Sequence, residues 1–179
     1  QYGDIFVTVP RWKSGVPSSL NKLVTNPNGG NGYVLQPWPS WAFNQINQTG
    51  SLQYAQSMII DTQERMWIPE VGRTNFFDSD LSLETTGPAG LFILDIETGN
   101  VLREYYFPED IIPYNNSFLN DIVLDESRGY AYLSNTWGDG GIVVYNYNTN
   151  TSHMFTGVYT QRNYTYDFCA NGDCYGTNG

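Results

Sequence analysis

Positive charge is scarce in this chain of 179 residues: eight Lys and Arg stand against eighteen Asp and Glu, a net charge of −10. No basic run exceeds two residues, so a phosphate backbone finds no electrostatic footprint and nucleic acid is not an expected partner. Histidine occurs once, at His153. A Ser-His-Asp or Cys-His mechanism needs a base oriented by a third group, and a single His in an outer strand does not supply one. No Gly-rich phosphate loop opens a helix, which argues against nucleotide chemistry. No apolar stretch approaches the roughly 18 residues of a membrane span. Helical stripes are wanting too, since no window carries a convincing i, i+3, i+4, i+7 pattern.

What is present points to strands and to an oxidising compartment. Aromatics make up 16% of the chain, with Tyr alone occurring 14 times, and such side chains suit a half-buried pleated surface. Charged residues are 15%, and Asn, Thr and Gly fill the polar positions instead. Glycosylation sequons begin at Asn47, Asn115, Asn150 and Asn163, and none has Pro in the middle. The two cysteines, Cys169 and Cys174, flank the turn-forming Ala-Asn-Gly-Asp. A local disulfide is expected, with free thiols as the alternative; a metal site is disfavoured because no His or further Cys lies nearby. The chain begins at Gln1, without Met or a leader, which reads as a processed N-terminus. Together these features predict a secreted, extracellular protein carrying N-linked glycans.

An internal repeat organises the chain. Ser57-Met58-Ile59-Ile60-Asp61, a turn, and Arg65-Met66-Trp67-Ile68 align with Asp121-Ile122-Val123-Leu124-Asp125, a turn, and Tyr130-Ala131-Tyr132-Leu133. Each copy continues with a second hairpin. Leu91-Phe92-Ile93-Leu94 leads to Val101-Leu102-Arg103-Glu104-Tyr105-Tyr106 in the first, and Ile142-Val143-Val144-Tyr145 to Thr151-Ser152-His153-Met154-Phe155 in the second. A long polar loop between Gly72 and Gly90 lengthens the first copy. Four short antiparallel strands per unit describe a propeller blade. The expected fold is therefore an all-β, partial β-propeller over residues 1–155, with blades at about 56–107 and 119–156, followed by a tail over 156–179 holding the disulfide loop. Residues 1–55 carry one clear strand, Ile5-Phe6-Val7-Thr8-Val9, and then a Pro-, Gly- and Asn-rich loop. Even a four-bladed ring needs roughly 200 residues. Open blade edges are adhesive, so self-association or a missing remainder of the chain is expected.

These blade residues resemble the major royal jelly protein and yellow family. Ser57-Met58-Ile59-Ile60-Asp61 through Trp67-Ile68, then Val71-Gly72-Arg73, is similar to its signature. So are Asp4-Ile5-Phe6-Val7-Thr8-Val9-Pro10-Arg11-Trp12, Pro37-Trp38-Pro39-Ser40-Trp41, Ser117-Phe118-Leu119-Asn120-Asp121 and Gly140-Gly141-Ile142-Val143-Val144-Tyr145. The resemblance implies a secreted six-bladed propeller, about half of whose ring this chain supplies, with a ligand pocket at the channel mouth. It also implies roles ranging from pigment pathways and binding of biogenic amines to oligomeric food-storage glycoproteins. Pro69-Glu70 departs from the family's usual apolar residue and Asp at that place, and the tail from Tyr159 matches nothing in it.

Four residues are the candidates for a channel-mouth binding site. Asn120 and Asp121 stand where an innermost strand begins, where oxygen ligands could hold a hard cation such as calcium, or could instead satisfy local backbone groups. Glu70 ends a strand and faces either the channel or solvent. Trp137 lies in a connection opening on the same face as the inter-blade loop. Trp12, Trp38, Trp41, Trp67 and Trp137 could form an aromatic cage for an amine, although Trp67 reads as core and Trp38 and Trp41 as cover for a blade edge. Asp139 belongs to a turn. Asn115 and Asn150 are expected on opposite faces. The reading is a non-catalytic glycoprotein, without cofactor or catalytic residues, that binds a small, biogenic amine-like ligand or self-assembles. The alternatives are a pigment-pathway isomerase or metal-dependent lactonase-like enzyme, and a structural extracellular polymer subunit.

Overall fold

The computed structural model describes residues 3–161, 168–171 and 173–175. Apart from one 3-10 turn at Ala42–Asn44, all regular structure among the described residues is strand. The chain opens with a three-stranded antiparallel sheet, β1 (Phe6–Thr8), β2 (Leu20–Thr25) and β3 (Tyr33–Pro37), in that order. The first blade follows. It contains β4 (Ile59–Ile60) and β5 (Arg65–Glu70), then a small ribbon of β6 (Arg73–Thr74) and β7 (Glu84–Thr85), then β8 (Gly90–Asp95) and β9 (Val101–Tyr106). Its four-stranded order is β4-β5-β8-β9. The second blade is β10 (Leu119–Asp125), β11 (Tyr130–Asn135), β12 (Gly141–Asn146) and β13 (Thr151–Phe155), again in chain order. A hairpin of β14 (Phe168–Ala170) and β15 (Asp173–Tyr175) carries the Cys169–Cys174 disulfide.

The blades explain why their strands read as unbroken apolar runs. In β5, Met66 and Ile68 point to one face and Trp67 to the other, as the two-residue period of a strand requires. Phe92 and Leu94 share the first face, where Leu20 and Phe43 from the N-terminal region pack. Trp67, Leu91 and Ile93 share the second face and meet Ile122, Leu133, Val143 and Tyr145 of the next blade. Blade one is thus buried on both sides, and each large side chain there contributes about 1.5–3 kcal/mol of burial free energy. Among the described residues, blade two buries only the side toward blade one. Its other face leaves Val123 57% and Phe155 56% exposed.

The hairpin turns reuse one device at matching positions of the repeat. Asp61 accepts from Gln63 N, Arg65 N and Arg65 Nε, and from the Trp67 indole N–H. Burial pushes its pKa up, but those donors and the Arg65 charge outweigh it and leave the pKa lowered. Asp125 takes the same place in blade two, accepting from Ser127 Oγ and Arg128 N, but on the exposed surface. Asp95 and Asn146 begin the second hairpins in the same way, each accepting backbone N–H bonds from the turn that follows.

The N-terminal region departs from the single strand expected there. Strands β2 and β3 pair over five residues, from Asn21 with Pro37 to Thr25 with Tyr33. Tyr33 and Leu35 remain exposed, so β3 lacks the apolar alternation of a buried strand and reads as loop in sequence. Trp38 packs edge-on against Phe6, and Pro39 lies where a side chain on Gly99 would clash. Both therefore cover blade one, while Trp41 is exposed.

Candidate functional site

Chain direction divides each blade into two ends. The tight turns at 61–64, 96–100, 126–129 and 147–150 lie at one end. The long connections 71–89 and 107–118 and the short one at 136–140 all lie at the other, here called the loop end. A cleft of about 250 Å³ opens there. Its walls are rings: Trp12, Phe76, Phe77, Phe118 and Trp137. Three polar side chains, Gln56, Asn120 and Thr136, complete it.

Backbone bonds between distant segments hold this arrangement. Asn75 N donates to Arg11 O and Phe77 N to Trp12 O, which sets Trp12 edge-on to Phe77 at 5.5 Å. Phe118 N donates to Asn135 Oδ1, and Thr136 N to Phe118 O. Phe76 then meets Phe118 at 4.7 Å and Trp137 at 5.5 Å, both edge-on. Gly138 and Gly140, at φ 64° and 70°, make the turn that swings Trp137 over Phe76, with Asp139 between them in the turn. Gln56 Oε1 accepts from the Trp12 indole N–H and from Tyr54 Oη.

Behind the rings lies Arg73, only 3% exposed. Its guanidinium carbon is 5.1 Å from the Phe76 centroid and 5.6 Å from that of Trp137. Nη1 donates to Ser117 O at 2.7 Å, whereas Nε and the buried Ser117 Oγ have no hydrogen-bond partner among the described residues. No carboxylate pairs with Arg73 among the described residues, and desolvation lowers its pKa.

The candidate residues separate on this frame. Asn120 and Trp137 share the cleft. Asp121 does not line it: a β-bulge between Leu119 and Ile122 turns its carboxylate back to accept from Ile122 N, while its own N–H donates to Ser134 Oγ. Glu70 lies outside this cleft, buried in the lining of a second one with Gln53, Thr86 and Tyr106. It is 1% exposed and accepts from Gln53 N, Tyr54 N and Gly72 N, and burial pushes its pKa up to about 8. Of the five tryptophans, Trp12 and Trp137 line the cleft and Trp67 is core, so the five do not gather into one cage. His153 lies exposed on the outer strand β13. Among the described residues, no three His, Cys, Asp or Glu side chains gather to hold a metal. Asn115 is exposed at the loop end and Asn150 at the turn end, where its Oδ1 accepts from Tyr145 Oη. Asn47 is exposed and left-handed at φ 59°. Asn163 lies outside the described residues.

Sequence reasoning missed Arg11 and Asn44. Arg11, 4% exposed, donates to Val16 O, Pro17 O, Asn44 O and Gln53 O. Asn44 Oδ1 accepts from Ser19 N and Leu20 N, and its Nδ2 donates to Trp38 O and Ser40 O. These side chains bond to backbone, and such partners leave no periodic signal.

Two antiparallel four-stranded units packed face to face, with their long connections at one end, define a partial β-propeller. The comparisons with known proteins name it further. The sequence profile of the family described as major royal jelly protein matches residues 54–169, and the chain belongs to that family. It is 29% identical to major royal jelly protein 5 of Apis mellifera over 160 residues, 86% of this chain and 25% of that protein. It is 28% identical to protein yellow of Drosophila melanogaster, again over 160 residues, 85% of this chain and 28% of that protein. The chain therefore spans about a quarter of the length of these relatives.

Proposed function

We propose that this chain is part of a secreted, N-glycosylated, non-catalytic protein that binds a small planar ligand in the cleft at the loop end. The observation that carries this reading is the cleft's make-up: a few amide and hydroxyl groups set among five rings, as in small-molecule sites generally. The catalytic alternatives find less support, since Asp121 and Glu70 are both turned to backbone N–H groups outside it. Trp137 is 39% exposed, so its replacement leaves the core intact. Trp137→Ala should weaken binding of a flat aromatic probe such as indole-3-acetamide by about tenfold or more, read by calorimetry. Equal affinity in the variant would remove the cleft from consideration.

The uncovered face of blade two, with Val123 and Phe155 outward, supports a second part of the proposal: assembly through that face, whether with further blades or with another copy. One preparation from a secretory host tests secretion, glycans and assembly together. Enzymatic removal of N-glycans should lower its mass, with sugar mapped to Asn115 and Asn150, and the protein should sediment as more than one chain. Unmodified asparagines would sink the glycan assignment, and a monodisperse monomer would sink assembly with another copy.

A further inference from the structure

We propose that the cleft selects an aromatic carboxylate over an aromatic amine, an inference that rests on the ligand-binding reading above and adds the charge of the ligand to it. An aromatic-lined cleft in a chain of net charge −10 looks at first suited to a cation. The cation is already there. Arg73 stands within 5.6 Å of two of the cleft's rings, so the attraction those rings offer a positive group is taken up by the protein itself.

Its charge is also uncompensated at short range. No described carboxylate pairs with it, and Glu70, the buried acid of the neighbouring strand, is pushed toward its neutral form by burial. The overall negative charge of the chain is spread over the solvated surface, where salt screens it within about 10 Å. A buried guanidinium beside the rings is screened far less, so the local field decides.

Two of the cleft's three polar side chains offer free donors, while Thr136 Oγ1 gives its proton to Phe118 O. Gln56 Oε1 is occupied by two donors, the Trp12 indole and Tyr54 Oη, which leaves its amide N–H₂ to donate. The Asn120 side chain has no hydrogen-bond partner among the described residues and can donate likewise. The rings thus hold a flat body, the two amides offer donors, and Arg73 favours negative charge on the group that accepts from them.

The test is a calorimetric titration of the whole chain with three probes of one shape: indole-3-acetate, neutral indole-3-acetamide and tryptamine. Indole-3-acetate should bind about tenfold or more tightly than tryptamine, with the amide between them, and the gap should narrow as salt rises. Arg73→Met should abolish the gap. Should that buried substitution prevent folding, Gln56→Glu serves instead: it keeps both accepted bonds and adds a carboxylate, and should reverse the order. Tryptamine binding as tightly as the acetate, or an order unmoved by Gln56→Glu, overturns the charge selection while leaving a ligand cleft in place. No binding by any of the three removes the ligand reading itself, and the charge selection with it.

Discussion

Replacing Arg11 with Met should lower the free energy of unfolding by about 4 kcal/mol, one of the two largest effects expected of any single substitution in this chain. Four carbonyls, from Val16, Pro17, Asn44 and Gln53, converge on one guanidinium that is 4% exposed. Met fills similar volume, so the loss isolates hydrogen bonding rather than a cavity. Bonds to a charged donor are worth about 1.5–3 kcal/mol each, and a buried carbonyl left without a donor adds to the cost. Some of that is recovered where water reaches the Val16 and Pro17 carbonyls, which are only partly buried. Lys at this position should rescue less than half, because one ammonium cannot span carbonyls contributed by three separate segments. Urea melts of the three proteins check this. A loss below about 1 kcal/mol for Arg11→Met, the scale of a surface change, would show that the network does not hold the N-terminal sheet to blade one.

How much of this was legible in the sequence depends on what kind of partner each residue has. The blade strands were legible because blade one is apolar on both faces, so Met66-Trp67-Ile68 and Leu91-Phe92-Ile93-Leu94 stand out as unbroken runs. The turns were legible because Asp61, Asp125, Asp95 and Asn146 bond to backbone within a few residues. Even the meeting of Asn120 with Trp137 follows from the repeat. In any four-stranded meander, the start of the first strand and the link between the second and third fall at the same end. Strand β3 was not legible, because exposed Tyr33 and Leu35 alternate with nothing buried. Neither were the roles of Arg73 and Glu70. A charged residue at a strand end reads as solvent-facing unless the segments that bury it are known; here 53–54 and 86–88 close over Glu70, and Phe76, Ser117 and Trp137 over Arg73. Gly72, at φ 70° and with no room for a side chain beside Gly87 O, is what lets segment 86–88 close over the end of β5.

That same buried carboxyl should make the fold more stable in mild acid than in mild base. Burial raises the Glu70 pKa from an ordinary 4.5 to about 8, against the pull of three backbone N–H donors and of Arg11. A raised folded-state pKa gives stability that is fully present below about pH 4.5 and is lost as pH climbs through about 8. The whole effect is about 4–5 kcal/mol, since each pH unit between the two values is worth about 1.4 kcal/mol for one proton. The carboxylates with lowered pKa, Asp61, Asp78, Asp95 and Asp125, act only in stronger acid and stay ionised throughout this window. Between pH 6 and pH 8.5 the melting temperature should therefore fall by about 6–12 °C for a chain of this size. Glu70→Gln should flatten that slope, because the amide has no proton to lose in this window. The variant should also melt lower at pH 6, as its N–H₂ replaces an acceptor that now serves Gln53 N or the Tyr54 and Gly72 pair. Glu70 and Arg11 grip Gln53 from opposite sides, one taking its N–H and the other its carbonyl, so their substitutions should not add. A melting temperature that rises from pH 6 to 8.5 in the natural sequence would mean that the three N–H donors outweigh burial, and that Glu70 is ionised in the fold.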